Sequence, residues 1–337
     1  MVFPNPTPPI QVATAGEALM DLIQEADGRL RPCNGGAVYN LTRALGHQGV
    51  GTLYLNPLSA DKFGRGMATA IDEAGVQLAR DNPAHEPTSL AVVGLDAEGK
   101  ASYSFYREGV ADRQVNAAEM SAQCAAQPSL KIVATGCLAL VAEDADKYLP
   151  WLKSQRAAGR LVVVDANLRP AIVPDMTAYQ TSVMNALGQA HIVKVSDDDL
   201  VTLGFGNGEP IEAARALLAQ TPAQWLALTL GAKGAVLMHR DGQAWHAIET
   251  APVKVADTVG AGDCFLAGML VALLERPAMQ QAADAASLKL DAADIQHIAS
   301  HAVASASLCV QEVGCVPPSL EQVRTRVLAA QPAFRAL

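Results

Sequence analysis

Aromatic residues make up only 4% of this 337-residue chain, and charged residues 18%. Few ring faces are therefore available to stack a nucleobase. No window approaches the roughly 18 uninterrupted apolar residues that a transmembrane helix needs. Residues 1–9 lack a basic region followed by an apolar run and do not read as a secretory signal. With Pro4, Pro6, Pro8 and Pro9 they read as a loose tail. The six cysteines, Cys33, Cys124, Cys137, Cys264, Cys309 and Cys315, form no C-x-x-C pair. Most sit among apolar residues, which favours reduced thiols in a cytoplasmic protein over a disulfide framework or a zinc site. Basic residues are outnumbered, and the net charge of −9 argues against nucleic acid as a partner. A local basic pocket can still take a small anion. There is no internal repeat, low-complexity tract or Pro/Ser-rich linker, so residues 1–337 read as a single domain.

Half of the residues are hydrophobic, enough for a large core. Continuous apolar runs recur at 10–15, 132–135, 161–164, 192–195, 225–230 and 235–238. Such runs suit strands covered on both faces. Helical patterns lie between them. Val38, Leu41 and Leu45 share one face, with Gly46 as a stop, and 264–274 and 295–308 read as buried helices. Alternating strands and helices imply an α/β fold with a mainly parallel sheet. One stretch departs from this rhythm. Residues 89–95 and 101–106 flank Asp96-Ala97-Glu98-Gly99-Lys100, a hairpin signal. Residues 16–31 also read as exposed strand and turn. Together, segments 16–31 and 88–110 predict a small β-sheet lid.

The strongest local signal is Asp257-Thr258-Val259-Gly260-Ala261-Gly262-Asp263 ahead of an apolar helix. Gly260 and Gly262 let the backbone approach a ligand closely. The turn opens a helix, so unpaired N–H groups and the positive dipole end converge on one spot. That spot suits an anion, including charge developing on a transferring phosphoryl group. A carboxylate there is unhelpful unless it does chemistry, and Asp263 fits a base that takes a proton from an attacking hydroxyl. Simple capping of the helix by Asp263 is the competing reading. No Walker A sequence occurs, and Gly204-Phe205-Gly206-Asn207-Gly208 reads as a plain loop.

Six segments, in order, resemble the ribokinase-like carbohydrate kinases of the pfkB family. Gly16-Glu17-Ala18-Leu19-Met20-Asp21 resembles the first strand with its sugar-binding Asp. Asn34-Gly35-Gly36-Ala37-Val38-Tyr39-Asn40 resembles the N-terminal glycine signature, and Asp61-Lys62-Phe63-Gly64 the turn that follows it. Asp165-Ala166-Asn167-Leu168-Arg169-Pro170 resembles a D-x-N-x-R strand end. Thr229-Leu230-Gly231-Ala232-Lys233-Gly234 resembles a nucleotide loop, and 257–263 the C-terminal signature. The likeness covers 12–314. It implies a nine-stranded, mostly parallel core flanked by helices, with a β lid over the sugar.

The resemblance also implies roles. Asp263 would be the base, and Gly260, Ala261 and Gly262 would offer N–H groups to the transferring phosphate. Asp21, Gly35, Gly36 and Asn40 would hold the sugar. Arg107 would contact the sugar or approach a phosphate. Asn167 and Arg169 would lie beside the phosphates, with Asp165 as an alternative orienter of Arg169. Lys194, Ser196, Thr229, Gly231 and Gly234 would line ATP, and His301 and Ser305 would be near the adenine. Magnesium would be reached by Asp199 through water, and potassium by Asp257 and the Val259 carbonyl. Ser196 and Asp199 stand where the family has Asn and Glu, which bears on metal affinity more than on reaction class. Cys264 reads as a small residue beginning a buried helix.

Within the family, the 16–21 opening and the run Tyr106-Arg107-Glu108-Gly109-Val110-Ala111-Asp112 look most like fructokinases. Asp21 suits a neutral polyol, because it would repel a sugar acid such as 2-keto-3-deoxygluconate. Val38 and Tyr39 depart from the smaller residues common in fructokinases. Partners are then the sugar and ATP, and an exposed lid edge predicts a homodimer. A sugar sensor without activity is the rival from another class.

Overall fold

The computed structural model describes residues 8–25, 27–95, 101–282 and 288–337. Among these, strands form two sheets. The strands are β1 (Val12–Thr14), β2 (Leu19–Gln24), β3 (Leu30–Gly35), β4 (Thr52–Tyr54), β5 (Gln77–Leu78), β6 (Ser89–Leu95) and β7 (Ala101–Tyr106). They continue with β8 (Ile132–Gly136), β9 (Leu161–Asp165), β10 (Ile192–Ser196), β11 (Trp225–Thr229), β12 (Ala235–His239), β13 (Ala244–Ile248) and β14 (Ala333–Ala336). The main sheet has the order β14-β13-β12-β11-β10-β9-β8-β1-β4-β5. It is parallel from β5 to β11, and β12, β13 and β14 add antiparallel to its far edge. It has ten strands rather than the nine expected, because the chain returns after its last helix and pairs Ala333–Ala336 with β13.

The apolar runs are explained by their two covered faces. In β9, Leu161 and Val163 enter one core and Val162 and Val164 the other. Successive strand side chains point to opposite faces, so both must be apolar when helices lie on both. One core gathers the helices Ala145–Ala157, Met176–Leu187 and Pro210–Ala219. The other gathers Ala37–His47, Ala261–Leu274 and Ala292–Cys309. Helix Ala261–Leu274 is buried from Asp263 to Leu274, as its all-round hydrophobicity requires.

The lid is the sheet β3-β2-β6-β7: two hairpins joined by parallel pairing of β2 with β6. Strands 89–95 and 101–106 match expectation, while the turn Asp96–Lys100 lies outside the described residues. The second lid strand runs to Gly35, past the expected limit at 31. Polar groups fix the lid to the body. Gly16 donates its N–H to Asn56 Oδ1 (2.8 Å) and accepts from the Tyr54 hydroxyl (2.7 Å). Asn56 also donates to the Asp112 carbonyl and to Tyr148 Oη. A Cβ on Gly16 would lie 2.4 Å from Val38, so glycine is required at this crossing.

The Asp61-Lys62-Phe63-Gly64 motif is an anchor. Asp61 caps helix Lys62–Glu73 by accepting from Gly64 N–H (2.8 Å), and also accepts from Thr88 N–H (2.8 Å) and Thr88 Oγ1 (2.7 Å) at the entry to β6. Replacing Asp61 by Ala removes the cap and both lid contacts. We expect a stability loss of about 2 kcal/mol in urea unfolding. A loss below about 0.5 kcal/mol, as for an ordinary surface site, contradicts this reading.

Candidate active site

The carboxyl ends of the parallel strands carry the polar residues, as in other open α/β sheets. Asp165 ends β9, Ser196 ends β10 and Thr229 ends β11. Register pairs Lys194 with Asp165 across β9 and β10, and both side chains face the helix Ala261–Leu274 side of the sheet. Lys194 Nζ donates to Asp165 Oδ1 (3.0 Å) and Oδ2 (2.9 Å), and both residues are buried. Asp165 therefore pairs with Lys194 and does not orient Arg169. Burial works against the Lys194 ammonium, but Asp165 and Asp199 outweigh it and hold its pKa above the ordinary value. Burial also raises Asp165, to about 7, against the pull of Lys194.

The Asp257–Asp263 turn sits against this ammonium. A Cβ on Gly262 would lie 3.0 Å from Lys194 Nζ. Gly260 has φ 78°, and a Cβ there would fall 2.3 Å from Cys315 Sγ. Ala261 N–H is spent on the Thr258 carbonyl (3.3 Å), whereas the amides of Gly260, Gly262 and Asp263 have no hydrogen-bond partner among the described residues. The amides without a partner are thus those of Gly260, Gly262 and Asp263, while Ala261 N–H is engaged. Asp257 braces the turn, accepting from Val259 N–H (3.1 Å) and Gly314 N–H (2.9 Å).

Asp263 is 7% exposed and its Oδ2 accepts from Asn40 Nδ2 (3.0 Å). It does not cap the helix, whose N-terminus has no side-chain cap. Burial raises its pKa to about 6, while Lys194, Asn40 and Arg169 oppose the rise. Asn40 Oδ1 is buried and unpartnered. Asp21 lies on β2, and a Cβ on Gly35 would sit 2.1 Å from its Oδ2. Burial raises Asp21 to about 6, opposed by Arg169. Arg169 thus acts electrostatically on both Asp21 and Asp263. Its Nη1 donates to the carbonyls of Asn167 (3.3 Å) and Leu168 (3.0 Å), and Asn167 holds the left-handed φ of 36°. Gly36, at φ 102°, packs on the Glu17 carbonyl.

Glu17 was not among the expected site residues. It is buried, its Oε1 accepts from Ala37 N–H (2.7 Å) and its Oε2 has no partner. Burial raises its pKa, with Arg107 opposing. Arg107 is half-buried at the lid base, its Nε lacks a partner, and it makes no ion pair among the described residues. Only the "G-E" in Gly16-Glu17 hinted at Glu17 in the sequence.

Other expected residues are more structural. Asp199 and Ser196 form a reciprocal cap: Asp199 N–H donates to Ser196 Oγ (3.1 Å) and Ser196 N–H to Asp199 Oδ2 (2.8 Å). Asp199 Oδ1 accepts from Leu168 N–H (2.7 Å), so each of its oxygens already holds a backbone amide. Thr229 Oγ1 contacts the Val195 carbonyl, and Gly231 (φ 56°) faces open space. Gly234 (φ 87°) is required because a Cβ would meet the Ala247 carbonyl at 2.2 Å. His301 and Ser305 are buried and bond Gln48: His301 Nε2 with Oε1 (2.9 Å), and Nε2 of Gln48 to Ser305 Oγ (3.1 Å). Through Gln48 they join the end of helix Ala37–His47 to helix Ala292–Cys309. A surface hollow of about 800 Å³ lined by Arg80, His85, Arg113 and Lys147 shares no residue with this site. There Arg80 pairs with Glu119, and Arg113 and Lys147 with Asp144.

The pfkB family carbohydrate kinase model matches residues 10–322. The chain belongs to the pfkB family of carbohydrate kinases. This pfkB chain is 30% identical to a fructokinase-1 of Zea mays over 283 residues, 80% of this chain and 85% of that one. It is 29% identical to a fructokinase of Rhizobium leguminosarum bv. trifolii over 270 residues, 78% and 79% of the two chains. A fructokinase from Xylella fastidiosa, solved with bound ATP, superposes with a TM-score of 0.81 at 27% identity, covering 96% of this chain and 99% of that one. The ribokinase-like α/β fold with its lid is thereby the fold of a sugar kinase, and no helix among the described residues of this kinase is long and apolar enough to cross a membrane.

Burial of Asp263 has a measurable cost. Its proton is held more tightly in the folded chain (about 6) than the ordinary 3.8 of the unfolded one. The stabilising contribution is therefore full below pH 4 and is lost as pH rises through 6. Asp263→Asn removes the ionised form, so at pH 8 this variant should gain stability on the order of 3 kcal/mol, and at pH 4 none. Urea unfolding at the two pH values checks this. Equal differences at both contradict it.

Proposed function

We propose that this chain is a cytoplasmic fructokinase, transferring the γ-phosphoryl group of ATP to the 6-hydroxyl of D-fructose. The observation that carries the reading is Asp263, buried at the mouth of three unpartnered amides, held by Asn40 and next to Lys194. The fructokinase relatives support the choice of sugar. Asp263 takes the proton of the sugar hydroxyl as its oxygen bonds to the γ-phosphorus. The bond from that phosphorus to the β,γ-bridging oxygen breaks, and ADP leaves. The free amides of Gly260, Gly262 and Asp263, with the Lys194 ammonium beside them, face the charge on the transferring group. A base near pKa 6 is ionised at neutral pH yet close enough to accept a proton efficiently.

Asp21 and Asn40 hold sugar hydroxyls. The vacant Asn40 Oδ1 and the Arg107 Nε are the polar atoms that such a ligand would satisfy. The lid closes over the sugar and excludes water. Asn167, Arg169, Ser196, Thr229 and Gly231 lie toward the phosphates, with Gly234 shaping the loop. Magnesium supplies charge neutralisation on the triphosphate when bound. Asp199, whose oxygens each accept one amide and keep a further lone pair, would reach a hydrated magnesium ion through water. Asp257 and the Val259 carbonyl fit a potassium site at the back of the cup. We read residues 1–337 as one kinase domain. Leu30 and Tyr106 on the edge strands of the lid are 47% and 60% exposed, which supports a second copy of the chain as lid partner.

An ADP-release assay with Mg-ATP, with and without potassium, tests the reading against fructose, tagatose, ribose, 2-keto-3-deoxygluconate and adenosine. Fructose should turn over fastest, with potassium raising the rate, and Asp263→Asn should lower turnover roughly 100- to 10,000-fold. Exclusive turnover of the sugar acid would overturn the roles of Asp21 and Arg107. Absence of turnover, with a sugar still raising the melting temperature, would make the chain a sensor.

A further inference from the structure

Three thiols far apart in sequence meet directly behind the anion cup. Cys264 is in the first turn of helix Ala261–Leu274, Cys309 ends helix Ala292–Cys309, and Cys315 lies on the loop that follows. Their Sγ atoms all lie within 4.8 Å of one another. All three are buried and none is in a disulfide. Zinc–sulfur bonds of about 2.3 Å set sulfurs about 3.8–4.0 Å apart in tetrahedral or trigonal sites. The trio therefore needs to contract by less than about 1 Å.

We propose that Cys264, Cys309 and Cys315 form a binding site for a thiophilic d10 cation of the zinc or cadmium type. Thiolates select such ions over the hard magnesium and potassium. One divalent ion replaces three thiol protons, which leave to solvent, and forms three metal–sulfur bonds with no change of oxidation state. The Cys309 thiol donates to the Val259 carbonyl (3.6 Å), a bond given up when its proton leaves. Val313 and Val316, on the loop that carries Cys315, are 62% and 49% exposed.

Occupancy should reach the chemistry. Cys315 packs on Gly260, the left-handed residue that opens the cup, and Cys264 follows Asp263 in the chain. Drawing these sulfurs onto one ion pulls on both sides of the cup. This coupling rests on the function proposed above, whereas the site itself does not.

The full chain, reduced and freed of metal with EDTA, is titrated with cadmium and followed by thiolate-to-cadmium charge-transfer absorption. We expect saturation at one ion per chain, displacement of the band by zinc, persistence of the band in Cys33→Ala and its loss in Cys315→Ser. No band, or a band that survives Cys315→Ser, overturns the site and leaves three small side chains filling a core. If Cys315→Ser does not fold, alkylation of the native chain decides. Zinc should protect Cys264, Cys309 and Cys315 while Cys33 still reacts, and protection of Cys33 instead overturns the proposal. With one equivalent of buffered zinc, turnover should fall at least tenfold. Stoichiometric binding without that fall keeps the site and overturns its coupling to the cup.

Discussion

The site rests on one ion pair. Lys194 and Asp165 occupy paired positions on adjacent parallel strands and meet inside the protein, bonded at 2.9–3.0 Å. Burying two charges carries a large desolvation penalty, which good geometry only partly offsets, and breaking such a pair from one side commonly costs 3–5 kcal/mol. Here the penalty fixes an ammonium against the helix start, 3.0 Å from where a Gly262 Cβ would be. That position crowds any side chain at 262. It also restrains the pKa of Asp263, which burial alone would push further up. One ammonium thus neighbours the turn and acts on the Asp263 carboxyl.

Around that pair, backbone conformation does most of the work. Gly260 must be glycine twice over, for its φ of 78° and for its contact with Cys315. Gly35 leaves room for the Asp21 carboxylate, and Gly36 for the Glu17 carbonyl. Glu17 in turn caps the helix that carries Asn40. Lid, glycine turn and Asp263 are therefore linked through one chain of short contacts from Gly16 onward. The lid is tied to the body at Gly16 and at Asp61, away from the strands that hold the charges.

Much of this was legible in the sequence because the signals are local. Continuous apolar runs gave β8, β9, β10, β11 and β12 nearly to the residue, and turn chemistry gave the β6–β7 hairpin. The Asp257–Asp263 turn announced a helix start from its two glycines and the apolar run after it. What was missed depends on distant partners. Nothing around Asp165 predicts that it pairs with Lys194 rather than Arg169, since register decides it. Pro32 and Gly35 hide β3, which is held by its neighbour in the lid more than by propensity. Ala333–Ala336 has too little apolar alternation to announce an edge strand. His301 and Ser305 read as pocket residues, but their periodicity could not reveal Gln48 opposite them. The cysteine trio is invisible to spacing rules, with members 45 and 6 residues apart.

The claim that Lys194 tunes the base is tested most directly by the pH dependence of kcat/KM for the best sugar substrate. The double variant Lys194→Met, Asp165→Asn removes the cation without leaving a buried charge unpaired. The wild-type rate should fall below pH 6, where Asp263 becomes protonated. In the double variant that acid limb should move upward by about one pH unit. A folded double variant whose acid limb stays at pH 6 would contradict the account.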